Sequence, residues 1–166
     1  MLMPAHTPSK AQHGVILIDA LMAILVFSLG ILGMVGVQAL AIGGQSDAQF
    51  RNQANELVSQ ISNEMWLSVD RSSGEVNPAS VAAFAHRADV GACDAAAGTP
   101  STSAMVTNWV TAVNDSPAAG GLPGSTDRMQ QILVNIAAGN QVTVTVCWRA
   151  PSDVAMRRHV VTTYIN

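Results

Sequence analysis

The feature that most constrains this chain is a long apolar segment near the N-terminus. It reads VILIDALMAILVFSLGILGMVGVQALAIGG, and no charged residue occurs between Asp19 and Asp47. As a helix that rises about 1.5 Å per residue, residues 20–46 would extend about 40 Å, which exceeds the roughly 30 Å hydrocarbon core of a bilayer. The segment is therefore predicted to cross a membrane, with a short polar stretch, residues 1–14, before it.

The composition and charge of the whole chain limit the possible partners. The chain is 49% apolar and only 11% charged, against roughly 25% charged residues in a typical soluble domain. Its net charge is -3; Lys10 precedes the apolar segment, and the arginines are scattered after it. No basic surface of the kind that binds nucleic acid is indicated, so we expect no nucleic-acid partner.

The position of Asp19 separates three interpretations of the segment. A secretory signal has a shorter apolar region, followed by a small-residue cleavage site, and here the acid interrupts the run almost at its start. A plain membrane anchor gives no reason for an intramembrane carboxylate, which costs at least ~2.5 kcal/mol. In the third interpretation, a partner group neutralises Asp19 when several such helices assemble.

The sequence GVILID, residues 14–19, after a polar leader resembles the class III signal of type IV pilins and type II secretion pseudopilins. In that family, a prepilin peptidase cuts after the glycine and N-methylates the new first residue. The resemblance implies cleavage between Gly14 and Val15, a methylated Val15, and Asp19 as the fifth mature residue. Residues 21–38 (LMAILVFSLGILGMVGVQ) look most similar to the PilV-type minor pilins, the type IV pilus modification proteins. The family usually has glutamate at the position of Asp19, and phenylalanine or methionine at that of Val15.

The resemblance gives Asp19 a role in assembly. A helix N-terminus carries a free amine and roughly half a positive charge from the helix dipole. A carboxylate one turn into the helix can pair with the ammonium of its own chain or of a neighbouring subunit, and this removes two costly unpaired charges. The alternative is an acid that is merely tolerated at the membrane edge. Gly30, Gly33 and Gly36 either let helices approach closely or reflect how common glycine is in membrane helices.

Beyond Gly44 the pattern predicts that the helix continues with one apolar face. Apolar residues recur at helical spacing, namely Phe50, Ala54, Leu57, Ile61 and Met65. We predict one helix over 15–69, of which 15–44 is the membrane or filament-core part and 45–69 is an amphipathic continuation. Residues 45–166 would form a periplasmic α+β head, with a linking region over 70–128 and a sheet over 129–166.

Local signals subdivide this head. Asn77-Pro78 predicts a short helix, and Ser101 or Thr102 is expected to cap a second helix around Trp109. Strands are predicted over 129–138, 140–149 and 157–165, with Gly139-Asn140 as a tight hairpin turn and 150–156 as the second connection. The expected fold is α+β and pilin-like: a long N-terminal hydrophobic helix packed on a C-terminal antiparallel sheet.

The two cysteines, Cys93 and Cys147, belong to no metal-binding pattern. In an exported domain they favour a disulfide, and the alternative is two unpaired buried thiols. His86 and His159 are isolated from acids and cysteines at any metal-binding spacing, and both are expected to be surface or packed histidines. The Arg157-Arg158-His159 cluster is expected to be an exposed strand end, and the alternative is contact with lipid head groups, DNA or a partner subunit. We find no catalytic motif and expect no enzyme, cofactor or metal.

The leading hypothesis is a minor pilin that assembles, initiates or modifies type IV pili. Its expected partners are the prepilin peptidase, other minor and major pilins, and inner-membrane lipid. The chain would cross the inner membrane once with its head in the periplasm, and it would then enter the pilus. Two alternatives stay open: a minor pseudopilin of type II secretion and a singly anchored periplasmic binding or sensor domain.

Overall fold

The structure is a computed structural model that describes residues 13–88, 91, 93, 98–151 and 153–166. Residues 1–12 of the predicted leader lie outside these ranges. Contacts divide the chain into unit 1 (Met1–Ser46) and unit 2 (Asp47–Asn166). The helices are α1 (His13–Ser68), α2 (Pro78–Ala82) and α3 (Ala104–Asn114), and the strands are β1 (Gln131–Asn135), β2 (Gln141–Trp148) and β3 (Arg157–Tyr164). The predicted α+β class is confirmed.

The first helix is continuous, as its sequence predicts, and ends at Ser68. In unit 2, its predicted apolar face is buried: Ala54, Leu57, Ile61 and Met65 are at most 7% exposed, and Phe50 packs against the same core while partly buried. Full burial of each larger side chain contributes about 1.5–3 kcal/mol. Packing rather than helix propensity therefore holds this part of α1 in place.

The short helices are fixed by local signals and by one long-range hydrogen bond. At α2, the Asn77 side chain accepts a hydrogen bond from the Ala79 backbone N–H, and Pro78 occupies the first turn, as predicted. Helix α3 contributes Trp109 to the core, and its indole N–H donates to the Leu57 carbonyl of α1 at 2.9 Å. The predicted cap of α3 is wrong, because Ser103 occupies the N-cap position and makes no side-chain cap bond.

The three strands form an antiparallel sheet in the order β1-β2-β3. Val144 is paired with Ile132 of β1 on one side and with Val161 of β3 on the other. Residues of this parity point into the core, where Ile132 and Val144 are fully buried. The opposite face carries threonines, and the Thr143 and Thr162 hydroxyls are 3.1 Å apart. One sheet face thus completes the core of unit 2.

The first hairpin differs from the prediction. Strand β1 ends at Asn135, because its side-chain oxygen accepts a hydrogen bond from the Ala138 backbone N–H and folds 136–138 into a 3-10 turn. This local bond competes with continued strand pairing. Gly139 and Asn140 both have positive φ, +76° and +53°, and complete a longer connection, not a two-residue turn. The second connection lies between β2 and β3, as predicted, with Ser152 outside the described residues.

Cys93 and Cys147 form a disulfide with a Cα–Cα distance of 5.5 Å, which confirms the pairing. Cys147 lies on the outer face of the sheet, yet it is fully buried. Residue 86 lies along the edge of β1: His86 exchanges two backbone hydrogen bonds with Ile132, and the Gln131 side chain donates to the Arg87 carbonyl. The disulfide joins Cys93 covalently to β2.

Candidate functional site

The apolar part of α1 in unit 1 is the most unusual surface of the molecule. Every large apolar side chain between residues 15 and 42 is between 48% and 81% exposed. In water each would forgo about 1.5–3 kcal/mol of burial free energy. By its length and composition, this stretch is long and apolar enough to cross a membrane.

The polar side chains of this stretch are partly satisfied within the helix itself. The Ser28 hydroxyl donates to the Ile24 carbonyl at 2.7 Å, and the Ser46 hydroxyl donates to the Gly43 carbonyl at 2.9 Å. Such bonds back to the preceding turn remove donors that would otherwise be unsatisfied in an apolar medium. The backbone is helical throughout, so its hydrogen bonds are also internal.

Asp19 is the single charged residue of the stretch and is exposed on the first turns of α1. None of the ion pairs among the described residues includes Asp19. Its predicted partner, the amine of Val15, would exist only after cleavage behind Gly14. Both residues of that predicted cleavage bond lie in the first turn of α1.

At Gly30, Gly33 and Gly36, an added Cβ would meet no atom of the described residues within 4 Å, apart from the neighbouring backbone of α1 itself. At about 100° per residue, Gly30 and Gly33 lie within about 40° of the line through Asp19 along the helix, whereas Gly36 lies about 100° away. The same line passes smaller side chains, namely Ala23, Val26, Val37 and Ala41. Asp19 therefore stands at the head of a stripe of glycine, alanine and valine residues, to which two of the three predicted glycines belong.

Unit 2 begins with a network of charges that the sequence did not indicate. Asp47 pairs with Arg51 at 3.0 Å and with Arg157 at 2.7 Å. Arg157 also forms two 2.8 Å hydrogen bonds with Asp153, and these bonds lower the pKa of the Asp153 carboxyl. The prediction of an exposed strand end holds for Arg158 but is wrong for Arg157, which is half-buried and paired.

The two histidines have structural surroundings. His86 is 3% exposed, and its Nδ1 accepts a hydrogen bond from the Ser101 backbone N–H at 3.0 Å. Burial, and then the nearby Arg87 charge, lower the pKa of His86, which favours the neutral ring. His159 is half-buried on β3. In the described part of the chain, no three metal-ligating side chains (His, Cys, Asp or Glu) are grouped closely enough to hold a metal ion.

Two buried glutamines were also missed by the sequence reasoning. Gln130 is fully buried, and its carbonyl oxygen accepts from the Cys147 backbone N–H at 3.1 Å. Gln131 is 2% exposed and donates to the Arg87 carbonyl at 2.9 Å. The sequence signal that could have identified them is a pair of adjacent glutamines at the start of an otherwise apolar strand.

Comparisons with protein-family models, with curated proteins and with solved structures find no match to the chain.

Proposed function

We propose that the chain is a minor pilin of the PilV type, which takes part in assembly, initiation or modification of type IV pili. A prepilin peptidase would cut between Gly14 and Val15 and methylate Val15. The mature chain would cross the inner membrane once with its head in the periplasm, and then join other pilins. The observation that carries the proposal is that one continuous helix, α1, supplies both an exposed apolar surface and part of the core of unit 2.

This construction suits a subunit that moves from a bilayer into a filament. Lipid tails are as apolar as leucine side chains, so exchanging lipid for neighbouring helices changes little in apolar burial. Selectivity must then come from close packing and from charge. The stripe of glycine, alanine and valine residues headed by Asp19 offers both features, and a Cβ added at Gly30 or Gly33 would meet no described atom within 4 Å beyond the neighbouring backbone of α1.

Asp19 would act through the amine that cleavage creates. The carboxylate lies one helical turn from Val15, within reach of an ammonium on its own chain or on an adjacent subunit. In an apolar filament core, either charge alone would be strongly unfavourable, and pairing them removes that penalty. Precursor chains that still carry the leader lack this amine, so they would assemble only after cleavage.

The test is the Asp19→Ala variant, with Asp19→Glu as the matched control that keeps the carboxylate. We expect both variants to enter the membrane fraction as the wild type does. Incorporation into sheared filaments, together with the major pilin, should be lost in Asp19→Ala and kept in Asp19→Glu. Normal incorporation of Asp19→Ala would show that this role is wrong. Co-purification with pseudopilins of type II secretion, and not with pilins, would mean that Asp19 has this role in type II secretion and not in a pilus.

A further inference from the structure

A basic cleft with an apolar rim lies at the beginning of unit 2. Arg51, Arg157 and Arg158 line it together with the short run Val154-Ala155-Met156. Val154 is 99% exposed, the highest value among the large apolar side chains of the described residues. An apolar side chain held fully in solvent beside several arginines is not explained by the core of unit 2.

The local charge is opposite in sign to that of the whole chain. Four arginines (51, 149, 157 and 158) and two aspartates (47 and 153) occupy the surface formed by the cleft and the adjoining connection. Arg157 is neutralised by Asp47 and Asp153, whereas none of the ion pairs among the described residues involves Arg149 or Arg158. The chain as a whole has a net charge of -3. The excess of positive charge here is therefore local.

The position of this surface along the chain is defined by one ion pair. Asp47 is the first charged residue after the uncharged stretch 20–46, and it is held at 2.7 Å by Arg157 of β3. Residues 20–46 extend about 40 Å as a helix, close to the full thickness of a bilayer with its headgroups. The start of β3 thus lies beside the residue at which a spanning helix would leave the headgroup layer.

We propose that Arg149, Arg158 and the run 154–156 bind the surface of the membrane that α1 spans, with arginines on the phosphates of anionic phospholipids and Val154 inserted between headgroups. Arginine binds phosphate oxygens through planar paired donors, and basic residues beside a membrane span are attracted to anionic lipids. This inference rests only on the membrane-spanning part of the proposed function. In the proposed docked state, the head is bound to the bilayer surface. This binding would end when α1 leaves the lipid.

The test uses the full chain, reconstituted in nanodiscs with one-third phosphatidylglycerol. Because Cys93 and Cys147 are joined in a disulfide, a spin label will attach to a new thiol at Val154→Cys. We expect this label to collide more with lipid-dissolved oxygen than with a water-soluble nickel complex. A label at Leu67→Cys is the control: Leu67 is 86% exposed and lies about 30 Å further along α1 than Asp47. It should remain in water.

The contribution of charge is tested by removing Arg149 and Arg158, the arginines of this surface that take part in none of the ion pairs among the described residues. In the Val154→Cys background, Arg149→Gln and Arg158→Gln should each lower the ratio of docked to undocked label about fivefold, which corresponds to about 1 kcal/mol per arginine at an anionic surface. Nanodiscs of phosphatidylcholine alone remove the attraction to both arginines, so they should lower this ratio about 25-fold, which corresponds to about 2 kcal/mol. Free inorganic phosphate at millimolar concentration should leave the docked fraction unchanged, because the proposed ligand is a lipid surface.

Two results would overturn the inference. A Val154 label as accessible to the nickel complex as the Leu67 label, in anionic nanodiscs, would show that the surface does not dock. Docking that is equal in anionic and neutral lipid and insensitive to both arginine variants would rule out phosphate recognition. A label at Phe27→Cys separates this failure from that of the proposed function. If the Phe27 label is in lipid and the Val154 label is in water, only the docking is wrong. If the Phe27 label is in water, α1 does not span the membrane.

Discussion

Removal of the disulfide should destabilise the head by an amount that follows from its place in the chain. The bond joins residues 54 positions apart, and on the chain-entropy model a closed loop of that length contributes about 4 kcal/mol to the free energy of unfolding. The bond also joins Cys93 to β2, where Cys147 is fully buried. We therefore expect Cys93→Ala to lower stability by about 4 kcal/mol.

The assay is urea unfolding of the full chain in detergent, followed by tryptophan fluorescence. All three tryptophans, Trp66, Trp109 and Trp148, belong to unit 2, so the signal reports on the head alone. Cys93→Ala, Cys147→Ala and the double variant should be compared with wild-type protein before and after reduction. Because either substitution removes the same bond, the double variant should lose little more than the larger single loss.

Two outcomes would refute this reasoning. A loss below about 1 kcal/mol in Cys93→Ala would mean that the cross-link does not constrain the unfolded chain as the entropy model requires. Single losses that add up in the double variant would mean that each cysteine acts through its own packing and not through the bond. Reduction of the wild-type protein should reproduce the Cys93→Ala loss, which separates the bond from the side chains.

Further predictions concern the core and its histidine. Ile61 is fully buried, so Ile61→Ala should lower the free energy of unfolding by about 2–5 kcal/mol. Leu67 is 86% exposed, so Leu67→Ala should change this free energy by less than about 0.5 kcal/mol. Equal losses in urea unfolding would contradict the assigned buried face of α1. The lowered pKa of His86 means that the unfolded chain binds this proton more readily, so stability should fall as pH decreases below about 6.5. His86→Asn, which keeps an acceptor for the Ser101 N–H, should flatten this dependence between pH 5 and 7.5 in urea titrations; an unchanged slope would show that His86 does not cause it.

The elements governed by periodic patterns were predictable from the sequence. The uncharged stretch 20–46 and the apolar face containing Leu57 and Ile61 determine α1, because hydrophobic spacing directly reflects which side of a helix is covered. The alternating residues of β2 and β3 likewise reveal a sheet with one buried face. Asn77-Pro78 identified α2, since both residues act within a single turn.

The parts that were missed depend on contacts distant in sequence or on local competition. The Asp47–Arg157 pair and the burial of Gln130 arise only when β2 and β3 lie beside their neighbours, and no spacing rule encodes them. Strand β1 ends earlier than predicted because the Asn135 side chain accepts a hydrogen bond from the Ala138 backbone N–H. The apolar residues after Asn135 had favoured a longer strand. Ser101 does not cap α3 as predicted, because its hydroxyl accepts a hydrogen bond from the Ser103 backbone N–H and donates to the Ala83 carbonyl.

Under the proposed function, the chain is a precursor that is cut behind Gly14. Intact-mass and N-terminal peptide mass spectrometry of protein purified from its native membrane would determine the residue at which the mature chain begins. The proposed function predicts a chain that begins at Val15 and carries one methyl group on its amine. A chain that still begins at Met1 would contradict processing and leave a singly anchored domain in place of a pilin.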